Sequence, residues 1–266
     1  MTPTYIGRFA PSPTGPLHFG SLLAAAGSYL DARAHGGRWY VRMEDLDPPR
    51  EVPGAAAGIL HTLEAFGFEW DGDVIYQGRR HAAYEAAVDE LLATGAAFRC
   101  ACSRREIADS AVRGLDGPIY PGTCRNGVAA DRDAGAVRLR VPDETLEFDD
   151  LLRGPVHQNM ARDVGDFIIR RADGCYAYQL AVVLDDAWQG VTHVVRGADL
   201  ILSTPRQLLL QRVLRLPTPV YMHLPVALNA RGEKLSKQTH AAPIDNDAAP
   251  QLLWDVLQSL RQNPPR

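Results

Sequence analysis

The chain has 266 residues, 46% of them hydrophobic and 23% charged, enough to bury a sizeable core in one large domain or two smaller ones. Its net charge of −4 excludes a protein that coats nucleic acid non-specifically, so any RNA contact needs a local basic surface. The start lacks the charged, then apolar, run of a signal peptide and no apolar stretch is long enough to span a bilayer, so a soluble, cytoplasmic protein without membrane contact is expected.

Strand and helix alternate along the chain. Residues 5–10 read as a short strand running into the turn Pro11-Ser-Pro-Thr-Gly-Pro-Leu-His-Phe-Gly20. Leu22, Leu23, Ala26 and Leu30 recur at helical spacing and predict a helix over 21–34, stopped by Gly36 and Gly37. A strand at 38–43 and helices at 54–66 and 79–94 follow, the last ended by Gly95. From 98 to 174 the texture changes to short segments rich in Gly, Pro and Asp, with three clustered cysteines. Residues 176–186 and 191–195 read as core elements, and a helix carrying Leu208, Leu209 and Val213 comes next. A strand at 220–228 leads into Gly232-Glu-Lys-Leu-Ser-Lys237, and an amphipathic helix at 251–261 precedes a short tail. The alternation predicts an α/β fold: a doubly wound parallel sheet of Rossmann type, with the middle block inserted.

Four cysteines do not make a disulfide framework in a chain of this size. Cys175 reads as a small buried core residue. Cys100, Cys102 and Cys124, with a fourth nitrogen or oxygen ligand, would close a tetrahedral structural zinc site in a segment poor in apolar residues. The alternative is three reduced thiols without metal.

Lys234 and Lys237 are the chain's only lysines; every other cationic side chain is arginine. Two lysines kept three residues apart in an arginine-rich background mark a place that needs a compact, mobile ammonium instead of a planar guanidinium. Such a loop suits following a phosphate as it leaves a nucleoside triphosphate. At the other end of the chain, a strand-to-helix turn presents backbone N–H groups and a positive helix end to a polyphosphate. Prolines stiffen that turn, Gly15 and Gly20 admit close approach, and His18 is placed to donate to phosphate oxygens. Taken alone, the His-x-Gly of that turn is a weak signal, equally compatible with an ordinary loop.

The two motifs together are more specific. His18-Phe-Gly-Ser21 and Lys234-Leu-Ser-Lys237 resemble the signature pair of class I aminoacyl-tRNA synthetases in order and separation. The longer string Arg8-Phe-Ala-Pro-Ser-Pro-Thr-Gly-Pro-Leu-His-Phe-Gly20, with Arg42-Met-Glu-Asp-Leu-Asp47 and Val195-Arg-Gly-Ala-Asp-Leu200, is similar to the glutamyl/glutaminyl branch, over about residues 1–240. Ser21 stands where the signature's second His would be, a departure common in that branch.

The resemblance implies an ATP-dependent ligase that makes glutamyl-adenylate, with ATP and Mg²⁺ as substrate. His18, Lys234 and Lys237 would be its catalytic residues, and His18, Gly20, Ser21 and Lys237 its ATP contacts. Arg8 would read the substrate's side-chain carboxylate, a group that a guanidinium grips bidentately. Glu44 would pair with the α-ammonium, and Ala10, Ser12, Tyr178 and Arg196 would complete the glutamate pocket. For the acidic turn around Glu44 the plain alternative is solvated charge, and for Arg196 a surface salt bridge. Tyr120 matches the fourth zinc-ligand position, beside Cys100, Cys102 and Cys124, of one synthetase-like subfamily. The implied organisation is a first half of the catalytic core at 1–97, an acceptor-like insertion with the zinc site at 98–174, a second half with the lysine loop at 175–245, and a helix and tail at 246–266.

Only 29 residues follow Lys237, too few for the large helical region with which full glutamyl-tRNA synthetases read an anticodon. The chain therefore resembles the shortened glutamyl-queuosine tRNA(Asp) synthetase family. That resemblance implies no anticodon-binding domain, glutamate activation without tRNA, and transfer to the queuosine base of tRNA(Asp). Val182, where full-length enzymes usually carry Asn, agrees, and losing that amide should reshape glutamate binding. Two other readings stay open: a truncated synthetase charging a tRNA 3′ end, and a non-catalytic tRNA-binding paralogue. A monomer is expected. Arg99, Arg104, Arg105, Arg125, Arg206 and Arg212 are candidates for RNA phosphate contact, and equally for ordinary ion pairs.

Overall fold

In the computed structural model, residues 4–110, 113–115, 117–226 and 243–264 are described. Strand β1 (Ile6–Phe9) pairs in parallel with β2 (Arg38–Met43), which pairs in parallel with β3 (Ile75–Tyr76). Helix α1 (Phe19–Ala34) makes the return from β1 to β2 and buries Leu22, Leu23, Ala25 and Ala26. It begins two residues earlier than the apolar spacing predicts, because His18 caps it. Helices α2 (Ala55–Ala65) and α3 (His81–Ala93) follow β2 and β3.

The stretch from 98 to 174 is more ordered than its composition implies. Strands β4 (Ala97–Cys100), β7 (Ala136–Leu139) and β10 (Ile168–Arg170) form an antiparallel sheet of their own, in the order β10-β7-β4. Between them lie α4 (Arg104–Ser110), the small ladder β5 (Arg113–Gly114) with β6 (Gly117–Pro118), and the hairpin β8 (Thr145–Asp150) with β9 (Gly154–Asn159). A single helical turn, α5 (Met160–Asp163), leads from β9 towards β10. Cys175 departs from the buried core position expected of it. It is half-buried beside a turn, where its N–H donates to Asp173 Oδ1 at 3.2 Å.

Helix α6 (Tyr178–Trp188), strand β11 (His193–Gly197), helix α7 (Thr204–Val213) and strand β12 (Val220–Leu224) rebuild the parallel sheet. Thr192 N–H donates to Ile6 C=O at 2.9 Å, which sets the start of β11 alongside β1. On the far side β12 pairs in parallel with β8 at Tyr221 and Asp150, so the β8–β9 hairpin adds an antiparallel edge to the parallel sheet. The direction of winding thus reverses between β1 and β11, and ligands in such sheets sit at the carboxyl ends of the strands at that reversal.

Helix α8 (Ala249–Ser259) packs Val256 into the core formed by Trp39, Ile59, Leu63 and Leu22. A second core lies between α3, α6, α7 and the antiparallel sheet, with Tyr84, Leu139, Ile169 and Leu180 inside. Gly27 on α1 faces Leu224 at the end of β12 so closely that an added methyl would overlap the leucine's Cδ1. Among the described residues no helix is long and apolar enough to cross a membrane.

Candidate active site

The turn after β1 is held by the neighbouring chain. Glu44 N–H donates to Pro11 C=O at 2.9 Å and Val52 N–H to Pro13 C=O at 3.0 Å, while Gly15 has φ +129°, a value that side chains disfavour. His18 ends the turn as the cap of α1: Ser21 N–H donates to its Nδ1 at 3.3 Å. An accepting Nδ1 leaves the neutral ring's proton on Nε2.

A cavity of about 290 Å³ opens where β1 and β11 diverge. Arg8, Ala10, Ser12, His18, Gly20, Ser21, Tyr178 and Arg196 line it, together with Leu23, Gly197 and Asp199. Eight of the residues singled out in the sequence, from three separate stretches, therefore share one cleft. Glu44 lies next door: it lines a cavity of about 220 Å³ with Asp47, Glu51, Gln77 and Arg171, and Ser12, Thr14 and Tyr178 belong to both walls.

Behind the cleft is a buried ion network. Arg8 donates to Asp186 at 3.1 Å from Nε and 3.5 Å from a terminal nitrogen, and Arg42 approaches the same carboxylate at 2.8 Å. Arg42 also lies 3.4 Å from Glu44. Burial tends to raise the Asp186 carboxyl, but Arg8 and Arg42 outweigh it and hold the group below the ordinary carboxylate range. Glu44 is different: burial pushes its carboxyl up to about 7, with Arg42 and Arg8 opposing and Asp186 adding to the rise. Its charge therefore changes near neutral pH. Asp185, the preceding residue, accepts from Gln77, Arg80 and Tyr84 at 2.8, 2.6 and 2.7 Å and ties α6 to α3.

Tyr178 opens α6, and its hydroxyl accepts from Arg196 at 3.4 Å, joining the two on one wall. Arg196 sits at the end of β11, nearly inaccessible, so it is no surface salt bridge. Val182 lies inside the apolar core of α6 and lines neither cavity.

The three clustered cysteines meet between β4 and the loop that follows β6. The Sγ atoms of Cys100, Cys102 and Cys124 lie within 4.8 Å of one another, with Cys102 and Cys124 3.6 Å apart. Tetrahedral zinc with bonds of about 2.3 Å sets its sulfurs about 3.7 Å apart, so the spacing fits. Tyr120 completes the cluster: Cys124 N–H donates to its oxygen at 2.8 Å, and Cys100 Sγ lies 3.4 Å away. Arg138 Nε donates to Cys100 Sγ at 3.3 Å, and its guanidinium stacks on the Tyr120 ring at 4.0 Å. Burial raises the Cys124 thiol, but the Ala101 N–H, Tyr120 and the neighbouring thiols bring it down to about 7. Burial raises the Cys102 thiol and the Tyr120 phenol, so of these three only Cys124 is shifted towards thiolate, and the fit to a closed zinc site rests on the sulfur spacing and the donor types.

Lys234 and Lys237 lie outside the described residues. Of the arginines considered for RNA, Arg206 is buried and donates to Leu202 C=O at 3.0 Å, so it is not an RNA contact; it stays in the fold to satisfy a turn of backbone. Arg125 pairs with Asp166 and Arg212 with Glu144. Sequence reading quoted Arg42 within a motif but gave it no role, and it missed Asp185 and Asp186. Two adjacent acids inside the apolar run of α6 were the available signal, since buried acids need cationic or donor partners.

The sequence profile of tRNA synthetases class I (E and Q), catalytic domain, matches residues 6–251. A Glutamyl-Q tRNA(Asp) synthetase of Chromobacterium violaceum is 60% identical over 261 residues, covering 98% of this chain and 88% of that protein. The protein of the same description from Dechloromonas aromatica is 60% identical over 267 residues, covering 100% and 89%. Among solved structures, a glutamate tRNA ligase from Elizabethkingia meningosepticum in complex with its amino acid superposes with a TM-score of 0.77 at 26% identity. That match covers 88% of this chain and 52% of the ligase, so the chain spans about half the length of that solved relative.

Proposed function

From its membership of the class I (E and Q) tRNA synthetases, and within them of the glutamyl-Q tRNA(Asp) synthetases, we propose that this ligase activates glutamate with ATP and passes it to the queuosine base of tRNA(Asp). The observation that carries the reading is the convergence of Arg8, His18, Tyr178 and Arg196 on one cleft at the reversal of the sheet. A cleft with cationic groups on one wall and a helix N-terminus on the other matches a dicarboxylic amino acid set beside a triphosphate.

In the first step an oxygen of the glutamate α-carboxylate attacks the α-phosphorus of ATP. The bond to the bridging oxygen breaks and pyrophosphate leaves with its electron pair. Arg8, steadied by Asp186, and Arg196 hold the side-chain carboxylate; the Glu44 carboxylate, reached past Ser12 and Tyr178, receives the ammonium. His18 donates to phosphate from Nε2, the start of α1 adds its N–H groups after Gly20 and Ser21, and Ala10 shapes the floor. Lys237 stabilises charge on the departing phosphates and Lys234 supports the same loop. Alignment and charge stabilisation supply most of the rate in such transfers. In the second step a queuosine hydroxyl attacks the activated carbonyl and AMP leaves.

In this reading residues 1–97 and 175–245 are two halves of the catalytic core, 98–174 an insertion that handles the acceptor, and 246–266 a closing helix and tail. Cys100, Cys102, Cys124 and Tyr120 would hold one structural zinc ion that braces the insertion. The protein works as a monomer.

Two measurements test the proposal. Glutamate-dependent exchange of pyrophosphate into ATP should proceed with Mg²⁺ and no tRNA; absence of exchange overturns the activation step. Labelled glutamate should then pass to tRNA(Asp) only when queuosine is present. Equal labelling of both tRNAs, or label at the 3′ end, would make this a 3′-charging enzyme instead.

A further inference from the structure

Arg196 and His223 occupy matching positions on the paired parallel strands β11 and β12. Arg196 Nε donates to His223 Nε2 at 3.1 Å, and a terminal nitrogen donates to Thr204 Oγ1 at 2.8 Å. An imidazole nitrogen that accepts carries no proton, so the ring proton lies on Nδ1. There it meets Asp150 Oδ2, 2.6 Å away. The other oxygen of Asp150 accepts from the backbone N–H groups of Leu152, Arg153 and His223 at 3.1, 2.9 and 3.3 Å, so the carboxylate has one fixed orientation. Both the Asp150 and the His223 side chains are wholly inaccessible, and neither lines the cleft.

We propose that Asp150 and His223 are positioning residues for glutamate: the carboxylate fixes the imidazole tautomer, and the imidazole fixes the Arg196 guanidinium at the wall of the cleft. The chain runs in one direction. Asp150 accepts from Nδ1–H, which leaves Nε2 as an acceptor for Arg196, which leaves the guanidinium's far edge for Tyr178 and the substrate carboxylate. Reversing the tautomer would set an N–H on Nε2 against the N–H of Arg196 and push the guanidinium off its site. Burial and the adjacent Arg196 both disfavour a protonated ring, with Asp150 opposing, and His223 is held neutral, its pKa brought down to about 4. The inference rests on the reading of Arg196 as a glutamate contact.

Asp150→Asn keeps size and shape but offers an amide N–H to Nδ1, so it favours the wrong tautomer; the same logic operates in hydrolase triads. His223→Leu removes both bonds, and His223→Gln can accept from Arg196 while donating to Asp150. Measured by pyrophosphate exchange, Asp150→Asn and His223→Leu should raise the glutamate KM about 10- to 100-fold, the loss of one charge-assisted bond. The ATP KM should hold, and His223→Gln should recover most of the loss. Arg196→Ala separates the two claims. If it raises the glutamate KM while Asp150→Asn does not, the positioning role is wrong. If Arg196→Ala itself leaves the glutamate KM unchanged, the reading of Arg196 falls. Equal rises in both KM values for Asp150→Asn and His223→Leu, without recovery in His223→Gln, also overturn the proposal, because they report general damage.

Discussion

Arg42 and Asp186 stand 2.8 Å apart in the interior, the guanidinium wholly inaccessible and the carboxylate shared with Arg8. One carboxylate on α6 thereby bridges two arginines from adjacent strands, with Glu44 beside Arg42 as the second acid of the group. Removing one partner from such an arrangement leaves buried charge without compensation. Asp186→Asn should lower unfolding stability by about 3 kcal/mol in urea titration, and should raise the glutamate KM as Arg8 loses its brace. A variant as stable as the parent would show that the arginines find other partners.

The shifted Glu44 carboxyl gives a pH signature. As pH falls through about 7 the group takes up a proton and loses the negative charge that would pair with the substrate ammonium. The glutamate KM should therefore rise as pH is lowered from 8 to 6, about tenfold per unit once below the transition. Glu44→Gln should have a high KM at every pH and a flat profile. A parent enzyme whose KM is constant over that range would separate Glu44 from substrate binding.

Lys237 is expected to act on rate. Lys237→Ala should lower kcat for exchange by about 10²- to 10³-fold, with little change in the glutamate KM, since charge builds on the leaving phosphates only in the transition state. Near-normal kcat would remove the lysine loop from the chemistry.

Cys102→Ser tests the metal. The parent should carry about one zinc per chain by elemental analysis, and the variant should lose it and become sensitive to protease between β4 and β7. A parent free of zinc after purification in metal-replete buffer would leave three thiols and a phenol as a purely hydrogen-bonded cluster.

The residues expected at the cleft were legible because they fall in runs that match the family's motifs: Arg8 to Ser21 around one stiff turn, Tyr178 at a helix start, and Arg196 ahead of a helix entry. The supporting groups gave no such signal. Asp150, Asp186 and His223 act through partners 73, 178 and 27 residues away. Such distances close only through the pairing of strands, which a single sequence does not display. The middle block misled for a related reason. Its apolar positions are sparse because the β4–β7–β10 strands are short: one face joins the core shared with α3, α6 and α7, and the other covers a small cluster that includes Cys100 and Tyr120. The β8–β9 hairpin shows alternation, but nothing in its spacing says that it will pair with β12, which lies some 70 residues further on.

The contact between Gly27 and Leu224 bears on genetics. Position 27 lines neither cavity and lies buried on α1, and a survey of loss-of-function alleles would ordinarily file it with the core. A methyl there would overlap only the terminal Cδ1 of Leu224, which can turn aside, whereas a large side chain would wedge between the helix that His18 caps and the strand that carries His223. Large substitutions at 27 should therefore group with those at the cleft in a functional screen, while conservative replacements at Ile59 or Leu63, also buried, should pass.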